Sequence, residues 1–120
     1  MIAFWTGRAV SENDRLLPGK GRWKPNPEYK AFKESVAWVL RQEQLDRPPI
    51  EGPVCVRLFI ELNPKMDAQN VLKPVFDALE LAGVIKNDKQ IRIFSCYRED
   101  RRAKDEDHIG IFVREVSDGK

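Results

Sequence analysis

The apolar and polar positions of the chain recur with two periods. Val54, Val56, Leu58, Ile60 and Leu62 alternate with Cys55, Arg57, Phe59 and Glu61, a repeat of two that predicts a strand ended by Pro64. Ile91, Ile93, Ser95 and Tyr97 alternate likewise, as do Ile109, Ile111 and Val113, and Ile2 to Trp5 read as a short first strand. Tyr29, Phe32, Val36, Val39 and Leu40 instead follow a helical spacing. Asn26-Pro27-Glu28 opens that helix with a capping side chain, a proline at the first position and then an acid, and it runs to about Gln44. A second helix is predicted over roughly Asn70 to Ala82, with Gly83 as its C-terminal cap. Pro74 leaves its beginning open, because proline disfavours helical geometry at Lys73; the helix starts either near Asn70 or near Lys73 and Pro74.

Two stretches lack a period. Gly7 to Pro25 mixes glycines, prolines and polar residues and reads as a long loop, a length more often functional than idle in a compact domain. Arg98 to Asp107 holds four basic and five acidic residues and reads as a solvated hairpin loop between the last two strands. The order strand, helix, strand, helix, strand, strand predicts an α+β fold: a mixed β-sheet of about four strands with two helices packed on it.

At 120 residues this is one domain, spanning 1–120, and its 42% apolar content suffices for a modest core and argues against disorder. A domain of this size buries only about two-thirds of its unfolded surface, so support from a partner subunit is plausible on physical grounds. No apolar run approaches the roughly 18 residues of a membrane span. Met1-Ile2-Ala3-Phe4-Trp5 has no basic leader and is too short for a signal-peptide core, so a cytoplasmic location is expected. Cys55 and Cys96 each lie in a predicted strand without metal-ligand spacing and are expected as buried thiols. Nucleotide-binding glycine loops, zinc patterns and serine-centred motifs are missing from the sequence, and the lone His108 reads as a surface or packing residue.

The net charge of +2 says little, but its placement says more. Arg15, Lys20, Arg22, Lys24, Lys30 and Lys33 are opposed between 15 and 33 only by Glu28, an excess suited either to phosphate contacts or to a solvated basic loop. The candidate chemistry lies further on. Asp67 follows a strand and precedes a helix, and Asp88 precedes the next strand, so both could reach one sheet edge, where hard cations find oxygen ligands. At about 100° per residue, Asn70, Lys73 and Asp77 share an arc of roughly 60°, and Lys73 and Asp77 are spaced to pair. The plain alternatives are a helix cap at Asp67, an ordinary turn at Asn87-Asp88-Lys89 and an exposed ion pair worth about 0.3–0.5 kcal/mol.

Taken together, Asp67, Gln69, Asn70 and Lys73, then Phe76-Asp77-Ala78-Leu79, Gly83 and Asn87-Asp88 before Gln90-Ile91, resemble the RusA family of Holliday-junction resolvases. Ser11, Asn13 and Arg15 resemble the polar opening of that family. The resemblance implies a RusA-like homodimer that binds four-way junction DNA and cuts two strands of like polarity with Mg²⁺ or Mn²⁺. It implies Asp67, Lys73 and Asp88 as catalytic residues, Asp67 and Asp88 as metal ligands, and Asn70 and Asp77 in support. Arg15, Lys20, Arg22, Lys24 and Lys65 would meet the DNA. Two positions depart from the pattern. Gln69 stands where the family carries its second aspartate, so an uncharged amide becomes the third candidate ligand, and Asn87 replaces the first of the later acidic pair. Glu61, Asp77 and Asp14 are the candidates to compensate, with nothing in the sequence to place any of them at the site. The departures leave two further readings beside an active nuclease: a homologue that binds junctions without cutting, and a protein-interaction domain with no DNA role.

Overall fold

The computed structural model describes residues 1–19, 21–102 and 104–116. Strand β1 (Ile2–Gly7) is followed by a 3-10 turn (Glu12–Asp14), β2 (Leu16–Gly19) and β3 (Arg22–Pro25). Helix α1 (Pro27–Gln44), β4 (Val54–Leu62), α2 (Gln69–Leu81), a second 3-10 turn (Asp88–Gln90), β5 (Ile91–Asp100) and β6 (Asp107–Glu115) complete the chain.

The main sheet has the order β1-β6-β4-β5, with β6 antiparallel to both β1 and β4 and with β4 parallel to β5. A parallel pair needs a crossover, and α2 supplies it between β4 and β5. The mixed sheet with two helices agrees with the α+β expectation. The alternation read in β4 holds from Val56 on: Val54, Val56, Leu58, Ile60 and Leu62 are buried and Arg57, Phe59 and Glu61 exposed, whereas Cys55, at a shift in register with β5, is buried as well. These inward residues, with Ala3, Trp5, Ile109, Ile111 and Val113, meet Phe32, Val36, Ala37 and Leu40 of α1 and Val71, Val75, Ala78 and Leu79 of α2 in one apolar cluster.

The last two strands do not form a hairpin. β6 inserts between β1 and β4, and β5 lies beyond β4 at the sheet edge. Pairing on both sides satisfies the backbone of the heavily buried β4, and that leaves the shorter-range β5–β6 pairing unmade. The connection is also not wholly solvated, because Arg101 (9% exposed) and Asp107 (2% exposed) are buried together. Nor is 7–25 a bare loop: β2 and β3 form an antiparallel ribbon, and Gly21 between them takes φ +71°, a conformation open to glycine.

Helix α2 begins at Gln69, ahead of Pro74. Its first bonds run from the N–H groups of Asn70 and Val71 to the carbonyls of Asp67 and Ala68, at 3.1 and 3.0 Å. Such three-residue bonds tighten the entry, and Pro74 falls early enough that the helix loses only one interior donor. Gly83 closes the helix at φ +73°, as its placement predicted. Cys55 is buried and Cys96 half-buried, with burial raising the Cys96 thiol pKa against the opposing pull of Arg98. His108 is exposed on β6.

Candidate active site

The polar face of α2 carries two adjoining clusters. In the first, the Lys73 ammonium reaches Asp77 Oδ1 at 3.0 Å and Asp88 Oδ2 at 3.2 Å, and Lys33 from α1 approaches Asp77 Oδ2 at 3.6 Å. The hydrogen bonds to Asp77 and Asp88 raise the Lys73 pKa well above the ordinary lysine value, so the group stays a cation. The expected Lys73–Asp77 pair is therefore present, and Asp88 joins it from the other side of the Gly83 turn.

The local sequence explains why Asp88 sits there. Asn87 caps the 3-10 turn by accepting the Lys89 N–H at 2.8 Å. Gln90 Oε1 accepts the N–H groups of Lys86 and Asn87 at 2.8 and 3.0 Å, while its Nε2 donates to the carbonyls of Ile50 and Gly52 at 2.7 and 2.9 Å. The Asp88 N–H donates to Glu80 Oε1 at 2.7 Å. Asn87, one of the two departures from the family pattern, thus serves the local structure, because its amide oxygen makes the cap.

The second cluster lies at the head of α2. Asp67, Asn70, Lys65 and Asn63 line a cavity of about 320 Å³ with Ser11, Asn13 and Asp14 from the first 3-10 turn and its cap. The Asp67 carboxylate is exposed and makes no hydrogen bond or ion pair among the described residues, so it is not a helix cap. Of the three residues named as compensating for Gln69, Asp14 is the one that shares this cavity. Asp77 is already held by two lysines, and Glu61 points from the opposite face of the sheet. Gln69 itself is exposed and lies outside the cavity lining.

Asp67 and Asp88, expected at one point, therefore belong to neighbouring clusters: among the described residues no hydrogen bond, ion pair or cavity holds both. Asn70 and Lys73, one helical turn apart or about 4.5 Å along the axis, join the clusters. No three His, Cys, Asp or Glu side chains gather among the described residues. The groups around Asp67 are nonetheless mostly oxygen donors, with two carboxylates, three amides and a hydroxyl beside the Lys65 ammonium and the Met66 thioether. That set suits a hard cation such as Mg²⁺, which is commonly held by one or two carboxylates together with water and substrate phosphate.

Several positioning residues escaped the sequence reading. Asp107 accepts the Ala9 N–H on Oδ2 at 2.8 Å and the Asn63 N–H on Oδ1 at 3.1 Å, and Arg101 Nε reaches Oδ1 at 2.5 Å. One buried carboxylate thereby ties together the two segments that line the cavity. Arg98 donates to the carbonyls of Met66 and Asn63, fixing the connection that presents Asp67. Both lie in or beside the run of mixed charge, where composition gives no sign of burial. Tyr29, read only as a core position of α1, has its phenol pKa raised first by burial and then by Asp77 and Glu12, with Arg15 and Lys73 pulling it down. Those influences place Tyr29 between the first 3-10 turn and the lysine cluster, and Lys33 lies 5.2 Å from the centre of its ring.

Among the expected DNA contacts, Arg15, Arg22, Lys24 and Lys65 are exposed, Arg22 and Lys24 on the β3 ribbon. Lys20 lies outside the described residues.

A small mixed sheet backed by two helices, with a lysine–carboxylate cluster beside an oxygen-lined cavity, fits a class of phosphodiester-cleaving proteins. The family model for endodeoxyribonuclease RusA matches residues 8–114, and the chain belongs to that family. A curated relative, the crossover junction endodeoxyribonuclease RusA of Aquifex aeolicus (strain VF5), is 34% identical over 85 residues, covering 68% of this chain and 67% of the relative.

Proposed function

We propose that the protein is a structure-selective DNA endonuclease that binds four-way junctions and resolves them by symmetric cleavage, as a cytoplasmic homodimer using Mg²⁺ or Mn²⁺, in recombination and repair. Family membership and the name of the Aquifex relative support the reaction class. The observation that carries the reading is Lys73, a cation on the polar face of α2, with the Asp67 carboxylate, unpartnered among the described residues, at the head of the same helix.

Asp67, with Asp14 and the amide of Asn70, would hold the ion, which when bound neutralises charge on the scissile phosphate and acidifies a water. Lys73 offsets the negative charge that develops on the phosphate oxygens or the leaving oxygen. Asp88, which pairs with Lys73 at 3.2 Å, would hold that ammonium in place and could add its second oxygen to the ion. Arg15, Arg22, Lys24 and Lys65 meet the backbone of the junction arms. Two copies of the chain offer eight such side chains, and about six contacts made would lower affinity roughly a thousandfold between 50 and 200 mM salt.

Gln69 favours a second reading, a junction binder that no longer cuts, because binding draws on the basic surface rather than on the carboxylates. A labelled mobile junction incubated with either ion separates the two. Symmetric cuts are expected, and a complete lack of cleavage over a wide range of both ions would sink the enzymatic claim. Gln69→Asp should then decide between the readings: a large rise in cleavage at unchanged junction affinity identifies position 69 as the defect, and no change clears it.

A further inference from the structure

Between the first 3-10 turn and α1 the chain folds into the β2–β3 ribbon, whose register divides its side chains between two faces. Leu16 pairs with Pro25 and Pro18 with Trp23, while Leu17 pairs with Lys24 and Gly19 with Arg22. Opposed residues of an antiparallel pair share a face, and neighbours along a strand alternate. One face is therefore apolar, with Leu16, Pro18, Trp23 and Pro25, and the other carries Arg22 and Lys24. A Cβ at Gly19 would meet the Lys24 side chain at 2.9 Å, so the lysine stem crosses the ribbon over that glycine.

The ribbon adds nothing to the interior. None of its described side chains joins the apolar cluster, and the molecule measures 53 × 34 × 25 Å with a radius of gyration of 15.0 Å. A compact chain of this length would have about 13.6 Å, and the elongation fits a ribbon that stands off the body. Trp23 is 66% exposed even though it faces Pro18 across the ribbon. Cross-strand packing thus uses about a third of the residue and leaves the rest in water.

The root of the ribbon is fixed to the cavity that holds Asp67. Asn26, the cap of α1, donates its N–H to the Arg15 carbonyl at 2.9 Å and its side-chain amide to the Asp14 carbonyl at 2.7 Å. Asp14 in turn lines the cavity. Trp23 lies three residues out from Asn26, about 10 Å along a strand, which spans about three nucleotide steps of 3.4 Å. The charges decide the partner. Residues 15–24 carry Arg15, Lys20, Arg22 and Lys24 and no acid, and Arg22 and Lys24 are the chain neighbours of Trp23. An aromatic ring set between cations suits a base set between phosphates. A continuous duplex offers no free base face, and opening one costs a few kcal/mol. In an open four-way junction the innermost pair of each arm has lost a stacking neighbour, so its face is met at lower cost.

We propose that Trp23 selects branched DNA by stacking on the base face exposed at the branch point, while Arg22 and Lys24 hold the phosphates on either side. The inference rests on the junction substrate of the proposed function and deepens it by naming a specificity-determining residue. The test compares binding of the full chain to a four-way junction and to a duplex of the same arm sequence, by fluorescence anisotropy in EDTA. Trp23→Ala should weaken junction binding about tenfold or more, the usual loss for one stacked base, and alter duplex binding less than about twofold. Trp23→Phe keeps a ring and should retain most of the junction affinity. 2-Aminopurine at the branch point should be quenched by wild type and by Trp23→Phe, but little by Trp23→Ala. Circular dichroism and melting should agree across the three proteins, since the residue lies outside the core.

Equal losses on junction and duplex would make the ribbon a general backbone contact and overturn the inference, as would a Trp23→Ala variant that binds both like wild type. Either result leaves the proposed nuclease intact. A marked fall in the melting temperature of Trp23→Ala assigns the ring to the fold, and a loss of self-association in sedimentation assigns it to a contact between copies; each overturns the inference as well. A wild type that binds neither DNA, or both alike, removes the junction reading of the proposed function along with it.

Discussion

Asp107 does more for this structure than its place in a charged run suggests. Its two carboxylate oxygens accept from Ala9, Asn63 and Arg101, and so fix the two segments that line the Asp67 cavity. Breaking a buried ion pair by removing one partner commonly costs about 3–5 kcal/mol. Asp107→Asn should lower stability by that order, measured as a drop in urea midpoint at unchanged slope, whereas the same change at exposed Asp105 should be nearly neutral. Equal effects at both positions would mean that Asp107 does not hold these segments. Sequence could not single it out, because the nine charges between 98 and 107 look alike until the fold decides which of them enter the interior. Tyr29 presents the converse: its helical spacing correctly marked it as buried, but the Asp77 and Lys73 charges beside it come from another helix.

At the scale of elements, the link between α2 and β5 shows how a short motif is built to hold one carboxylate. Gln90 makes four hydrogen bonds around the turn that carries Asp88, two as acceptor from Lys86 and Asn87 and two as donor to Ile50 and Gly52. Gln90→Ala should speed amide exchange at Lys86 and Asn87 by roughly tenfold, the equivalent of one net hydrogen bond, while exchange in β4 stays slow. Unaltered exchange at those two amides would show that the backbone holds the turn unaided. Much of this element was readable in advance: Gly83 as the cap, the beginning of β5, and Asp77 one turn after Lys73. The start of α2 was not, because Pro74 and the tight bonds from Asn70 and Val71 compete, and burial of Val71 against the sheet favours the longer helix.

For the whole molecule, a ligand that binds only the folded state stabilises it, by about 2.7 kcal/mol at a hundredfold excess over the dissociation constant. Mg²⁺ or Mn²⁺ at that excess should therefore raise the melting temperature by on the order of 10 °C. Asp67→Asn should abolish most of that rise while the metal-free protein melts near the wild-type temperature. The same rise in wild type and variant would place the ion elsewhere. The chain by itself determined the periods of α1, α2, β4 and β6, and hence which of their apolar side chains turn inward, because that information is local and repeats every two or about four residues; on the edge strand β5 it did not, since Ile93 and Tyr97 are exposed. It also placed Lys73 beside Asp77, one turn apart on a single helix. Only the tertiary structure decided that β6 enters between β1 and β4, that Asp14 shares a cavity with Asp67 while Asp88 pairs with Lys73, and that Asp107 is buried. Each of these depends on contacts between distant segments, and their order is set by which arrangement buries the most apolar surface while leaving every interior polar group a partner.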